Sequence, residues 1–157
     1  PLRRVELIIG KALPALIVAL VDLGLMWGIA VWGFHVPMRG SPVLLLGLSL
    51  LFILAEIGWG LTVSAVARTL QQAALMIFVL AMIDVSFSGY VMPVDRMPPA
   101  LRALAQIFPL QHYLAVIRSV MLKGGTLATL WGRALALGVL SVGSLAVAAL
   151  SLKRRLE

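Results

Sequence analysis

Three acids stand alone inside long apolar runs: Asp22, Glu56 and Asp84. Counted from polar residues at one boundary, Asp22 lies eleven residues beyond Lys11, Glu56 twelve before Arg68 and Asp84 thirteen beyond Gln71. At about 1.5 Å of rise per helical residue the three depths agree, at roughly 17 to 20 Å. A carboxylate facing lipid there would cost roughly 2.5 to 3.5 kcal/mol, so each acid is expected to face the bundle, a water-filled path or a partner. Two roles fit. The acids form a polar surface that meets substrate or protons, or each is protonated and hydrogen-bonds a neighbouring helix. No Lys or Arg lies at that depth in these runs, which favours the second role.

Other chemistry is sparse. The chain has no G-x-x-x-x-G-K-[ST] phosphate loop, no H-E-x-x-H and no G-x-S-x-G, so nucleotide hydrolysis, zinc proteolysis and serine hydrolysis have no motif to rest on. Gly58 and Gly60 make a lone G-x-G inside an apolar run, which reads as helix packing. His35 reads as an interfacial residue, and His112 packs beside Tyr113. With no cysteine, disulfides and thiolate metal sites are excluded. No catalytic residue, cofactor or metal is expected.

The elements that must position the acids are membrane helices. Of the 157 residues 62% are hydrophobic and only 12% charged, and the mean hydropathy is +1.07, far from the roughly one-half and one-quarter of soluble domains. The chain is expected to be all-α, a single membrane module over 1–157 with spans at about 12–32, 43–66, 73–92 and 134–152. The net charge of +7 is scattered at the ends of these runs, where lipid headgroups meet it, and no nucleic-acid partner is expected. Residues 33–42 form a short polar turn and 67–72 a tight connection. The pairs Gly24/Gly28 and Ala134/Gly138 are expected to let spans approach closely.

The stretch 88–99, SGYVMPVDRMPP, ends the third span: Gly89, Pro93, Pro98 and Pro99 all oppose helix continuation. After it, Leu101, Leu104 and Phe108 recur at helical spacing with Arg102 and Gln106 opposite, and Pro109 ends that helix. Leu110, Leu114, Ile117 and Met121 then mark the apolar face of a second short helix, stopped at Gly124-Gly125. Residues 97–125 therefore read as a re-entrant or interfacial helical hairpin between the last two spans, tolerated at membrane depth only if packed on protein. Four spans place both termini on one side. Arg3, Arg4, Lys11, Arg68 and the triplet 153–155 share that side, and six basic residues share the other, so the cytoplasmic assignment of the termini rests on the denser terminal clusters.

The run from Gly60 to Gly124 resembles the permease of type-2 ABC exporters, in their bacterial drug-exporter-like branch. The likeness is carried by S-x-x-A-R-T-x-Q-Q at Ser64 to Gln72, S-G-x-x-x-P at Ser88 to Pro93, Met97-Pro98, Phe108-Pro109-Leu110, His112-Tyr113, Ile117-Arg118 and Leu122 to Gly124. The opening PLRRVELIIGK resembles the segment after the cytosolic coupling helix of that family. The resemblance implies that the chain holds helices three to six of a six-helix permease in a bacterial inner membrane, with two helices and most of the coupling helix upstream of Pro1. It also implies an outer hairpin, a fused or separate ABC ATPase and a second permease copy, homologous or identical.

The function expected is half of an export pathway that ATP opens outward, lined by Phe78, Met82, Asp84, Phe87 and Tyr90. Gly89, Pro93, Pro98 and Pro109 would shape its outer gate, and Arg3, Arg4, Arg68, Gln71 and Gln72 would face the ATPase. The three acids match no common pattern of that family. Two alternatives stay open: a proton-coupled secondary transporter fragment built on the acids, and a membrane assembly subunit without a transport path.

Overall fold

The computed structural model describes the backbone of residues 4–156 and the side chains of 9–152 other than Lys11. Arg3 lies outside the described residues, as do the side chains of Arg4 and of Lys153, Arg154 and Arg155. Among the described residues the fold is all-helical, without a strand. The long helices are α1 (Arg4–Gly28), α2 (Pro42–Val66), α3 (Leu70–Phe87) and α6 (Leu127–Leu156). Two short ones, α4 (Pro99–Ala105) and α5 (Pro109–Ile117), stand between α3 and α6. Ala12–Gly33, Pro42–Val66, Leu70–Phe87 and Leu127–Leu152 are long and apolar enough to cross a membrane.

Local chemistry sets these ends. Ser41 caps α2 by accepting from the Leu44 N–H at 3.4 Å, and Pro42 occupies the first turn, where its missing N–H is harmless. The connection from α2 to α3 is a capped corner: Thr69 Oγ1 accepts from Gln72 N at 3.2 Å while Gln72 Oε1 accepts from Arg68 N at 2.8 Å. The third span thus begins at Leu70, earlier than the expected 73. It also stops at Phe87 rather than 92. Ser88 Oγ donates to Val85 O and accepts from Tyr90 N, and Gly89 takes a φ of +82°, a left-handed turn open to glycine. The last span begins at Leu127, not 134, because Thr129 Oγ1 accepts from Thr126 N at 3.1 Å and brings Trp131 and Arg133 into the helix.

The core lies between α2, α5 and α6. Leu45 and Leu48, early in α2, share a cluster with Leu130 and Leu137, early in α6, and Gly58 later in α2 faces Ser144 later in α6. The two helices therefore run parallel. Close approach is made at Gly58, where a Cβ would stand 2.6 Å from Ser144 Cβ. Gly24 and Gly138, expected to serve this purpose, have nothing within 4 Å of an added Cβ, and Gly28 meets only Trp32. Small-residue spacing marks where a backbone can approach, and the fold uses another face.

Helix α5, with the π-helical turn Arg118–Leu122 that continues it, adds Val116, Val120 and Met121 to the core. The polypeptide also joins two distant turns: Arg39 N donates to Met121 O at 3.1 Å. By contrast, α3 buries none of its residues, and α1 leaves Ile17, Val18, Val21 and Leu25 uncovered by the chain.

Candidate functional site

Two of the three acids meet. Glu56 of α2 and Asp84 of α3 adjoin one another, and the N–H of Leu110, in the first turn of α5, is directed at Asp84. Glu56 Oε1 and Asp84 Oδ1 are nevertheless buried without a hydrogen-bond partner of good geometry. An unpaired buried carboxyl oxygen is costly, so this pair calls for a proton shared between the acids or for a further polar partner. Both carboxyls line a cavity of about 110 Å³ together with Trp59, Ile77, Phe108 and Pro109.

Glu56 also lines a second cavity, of about 480 Å³, into which Asp22 of α1 projects. The three acids thus form a sequence across the bundle, Asp22 at the rim of the larger cavity, Glu56 between the two and Asp84 in the smaller. Their matched depths, read from residue counts, are compatible with this row. Helix rotation, which counting cannot supply, decides that Glu56 serves both cavities.

The remaining pathway candidates do not gather around Asp84. Phe78 and Met82 are 63% and 54% exposed and occupy the face of α3 opposite Leu80 and Asp84. Tyr90 is exposed beyond the helix end. Phe87 turns inward, stacking on Phe108 with ring centroids 5.3 Å apart. Helical geometry had already separated them: at 100° per residue, positions 78 and 82 sit about 200° from 80 and 84.

The segment expected to form the hairpin is built around Arg102. Its guanidinium donates to the carbonyls of Val94 at 3.3 Å, Asp95 at 2.5 Å and Met97 at 3.5 Å, holding the single 3-10 turn Val94–Arg96 between Pro93 and Pro98. Pro98 precedes α4 and Pro99 opens it. Pro109, read from sequence as a helix stop, is the first residue of α5 and is fully buried. Pro109 holds Phe108 extended, which keeps α4, already ended at Ala105, from running on, and it fits the first turn of α5.

Of the expected apolar stripe only Met121, in the turn that continues α5, is buried in the core, with Ile117 packed against it. Gln111, His112, Tyr113 and Val116 are buried, while Leu110, Leu114 and Ile117 are only half-buried. In a bundle surrounded by lipid the polar groups gain most from the interior, where partners await them. Arg133 of α6 supplies those partners. Its Nη1 stands 3.2 Å from His112 Nδ1 and, with the Gln111 amide set to satisfy both its ends, 3.1 Å from the Gln111 side-chain oxygen. The Gln111 amide nitrogen donates to Ala105 O at 3.2 Å.

A guanidinium can only donate, so His112 Nδ1 accepts and Nε2 carries the proton, donating to Gln106 O at 2.9 Å. Burial pushes the His112 pKa below its usual 6.5, and the Arg133 charge acts in the same direction. Nearby, Tyr113 OH and Ser49 Oγ share a hydrogen bond of 2.7 Å, and the Tyr113 ring stacks on Phe52 with centroids 4.3 Å apart. Sequence reading missed this network. Its only advance signal was an Arg near the start of a span, with Gln and His adjacent on a short helix.

At the other end, Gln72 is consumed in closing the α2–α3 corner, while the side chains of Arg68 and Gln71 are exposed. No cluster able to hold a metal ion is present among the described residues.

The ABC-2 type transporter family matches residues 1–122. The chain is 36% identical over 131 residues to the "Probable multidrug ABC transporter permease YbhR" of Escherichia coli (strain K12), a match covering 83% of this chain and 36% of that protein. To the "Probable multidrug ABC transporter permease YbhS" of the same organism it is 30% identical over 155 residues, 98% of this chain and 41% of the other. To the "Inner membrane transport permease YhhJ" of Escherichia coli (strain K12) it is 25% identical over 139 residues, 87% and 37%. The chain spans about two fifths of the length of these relatives. No solved structure matches it.

Proposed function

The chain belongs to the ABC-2 type transporter family, and on that premise we propose that it is the transmembrane part of a permease, half of an export pathway opened outward by an ABC ATPase. The observation that carries this reading is a bundle left open on two sides. The α2–α5–α6 core is packed, whereas α3 buries no residue and α1 keeps an apolar face uncovered. Lipid covers part of these faces, and further permease helices with a second copy of the chain cover the rest, placing a pathway between copies. Phe78 and Met82, on the open side of α3, line that interface, while Glu56 and Asp84 occupy the interior of each half and Asp22 is exposed on α1.

The same reading puts the protein in a bacterial inner membrane as a multi-pass subunit. The α2–α3 corner, with exposed Arg68 and Gln71, faces the cytoplasm and the ATPase. The segment 88–125 faces outward, with Gly89, Pro93, Pro98 and Pro109 setting its bends. The chain supplies no hydrolysis of its own.

Affinity purification of the full-length protein from its own membrane tests this. A P-loop ATPase should copurify in equal amount, and Arg68→Glu combined with Gln71→Glu should weaken that association. Purification without any ATPase, under conditions that keep the protein folded, would remove the basis for the reading.

A further inference from the structure

The cavity of about 480 Å³ between α1, α2 and α5 combines apolar walls with two carboxyls, and no Lys, Arg or His lines it. Its volume lies in the range of small-molecule sites, roughly 300 to 1,000 Å³. Asp22 enters from α1 and Glu56 from α2, so the negative groups come from two walls. Three aromatic rings, Trp27, Phe52 and Tyr113, line the cavity as well. Tyr113 is fixed in place by its 2.7 Å hydrogen bond to Ser49 and by its stack on Phe52, so this wall is set before any ligand arrives.

Charge and polarity narrow the ligand. An anion would meet Asp22 and Glu56 with no compensating cation, and a neutral apolar molecule would leave the buried Glu56 Oε1 without a partner at membrane depth. A small inorganic cation would exchange its water shell for apolar walls and too few oxygens. An organic cation with aromatic or bulky apolar groups meets every wall, its charge offset by carboxylate and by the ring faces. Met26 and Met121, also in the lining, adapt to different shapes.

We propose that this cavity binds a lipophilic organic monocation, held by Asp22 and Glu56 and enclosed by Trp27, Phe52 and Tyr113. The proposal rests on the permease reading and gives it a substrate class: the cavity is a station within one half, reached before the path between copies.

Equilibrium dialysis of tetraphenylphosphonium against the full-length permease, assembled with its ATPase in lipid nanodiscs, tests it. Tetraphenylborate, of nearly the same shape and opposite charge, is the comparison. Saturable phosphonium binding is expected, with no saturable borate binding. Asp22→Asn and Glu56→Gln should each weaken phosphonium binding about tenfold or more, and Trp27→Leu should weaken it less. Asp95→Asn, on an exposed turn, should leave it unchanged. Should Glu56→Gln fail to assemble, Asp22→Asn at the cavity rim decides alone. Phosphonium binding that both acid variants retain, equal binding of borate, or no saturable binding would overturn the proposal. Carboxylate-dependent binding in a protein that never couples to ATP would leave the cavity intact and sink the permease reading. ATP-driven efflux of another compound, without phosphonium binding, would do the reverse.

Discussion

Gly58 of α2 lies so close to Ser144 of α6 that a Cβ on the glycine would stand 2.6 Å from the Ser144 Cβ. This contact lets two parallel spans pack backbone to backbone, and it fixes the rotation of α2 that brings Glu56 between the two cavities. Gly60, about 200° round the helix on the opposite face, has nothing within 4 Å of an added Cβ. Gly58→Ala should therefore destabilise the protein by about 1–3 kcal/mol through overpacking, while Gly60→Ala should be neutral or slightly stabilising. Thermal unfolding of the full-length protein in one detergent compares them. Equal midpoints for the two variants would mean that α2 and α6 do not meet at Gly58.

The His112–Arg133 pair predicts a pH response with a definite sign. The folded pKa of His112 lies below the ordinary 6.5, so near and below that value the unfolded chain binds a proton that the folded chain resists. Stability from this group is complete above about pH 6.5 and is lost as pH falls toward the folded value. Protonation would also remove the acceptor that Arg133 uses and set two cations together. Unfolding midpoints measured from pH 8 to 5 should fall for the wild type and fall less for His112→Gln, whose amide can still donate and accept. Parallel curves would show that His112 is not held neutral.

Much of the architecture was legible in the sequence, for a physical reason. In a membrane chain the apolar runs and their breakers are dictated by the solvent, so four spans and the disrupted stretch 88–99 follow from composition and proline chemistry. Ends were less legible because they depend on single caps: Ser88 and Gly89 stop α3 at Phe87, and Thr129 starts α6 seven residues before Ala134. Faces were least legible. A helix apolar all round carries no stripe to say which side is interior: spacing separates Phe78 and Met82 from Asp84, but only the packing shows that Asp84 is the inward one. On α5 the sequence shows an apolar stripe, of which Met121 is buried, but Gln111 and His112 turn inward as well because Arg133 meets them there.

Topology can be read at three positions. Backbone bonding ties Arg39 to Met121, and Gly124 packs beside Arg39, so the turn after α1 and the segment after α5 lie at one end of the bundle. Gln71 lies at the other. In a background cleared of other cysteines, a membrane-impermeant thiol reagent on intact cells should label Arg39→Cys and Lys123→Cys together and spare Gln71→Cys. Gly40 is unsuitable for this purpose, since its Cβ would stand 2.6 Å from Val120 O. Labelling of Gln71→Cys alone would invert the proposed orientation.

The stretch after α3 predicts an uncoupled phenotype. Gly89→Ala, Pro93→Ala and Pro98→Ala together would remove roughly 1 kcal/mol of helix penalty at the glycine and about 3 at each proline, if those positions became helical. The third span would extend outward, breaking the Arg102 contacts that hold the turn and the Phe87–Phe108 stack. ATP hydrolysis by the assembled complex should persist while efflux falls. Efflux at the original rate would mean that this turn is only a connection.

The most direct measurement is ethidium accumulation in inside-out vesicles carrying the full-length permease and its ATPase, with an uncoupler present to collapse ion gradients. An ATP-driven exporter predicts accumulation that requires ATP, survives the uncoupler and disappears when the ATPase is inactivated. Accumulation driven by an imposed pH gradient, abolished by the uncoupler and indifferent to ATP, would contradict it and assign transport to Asp22, Glu56 and Asp84 as proton carriers.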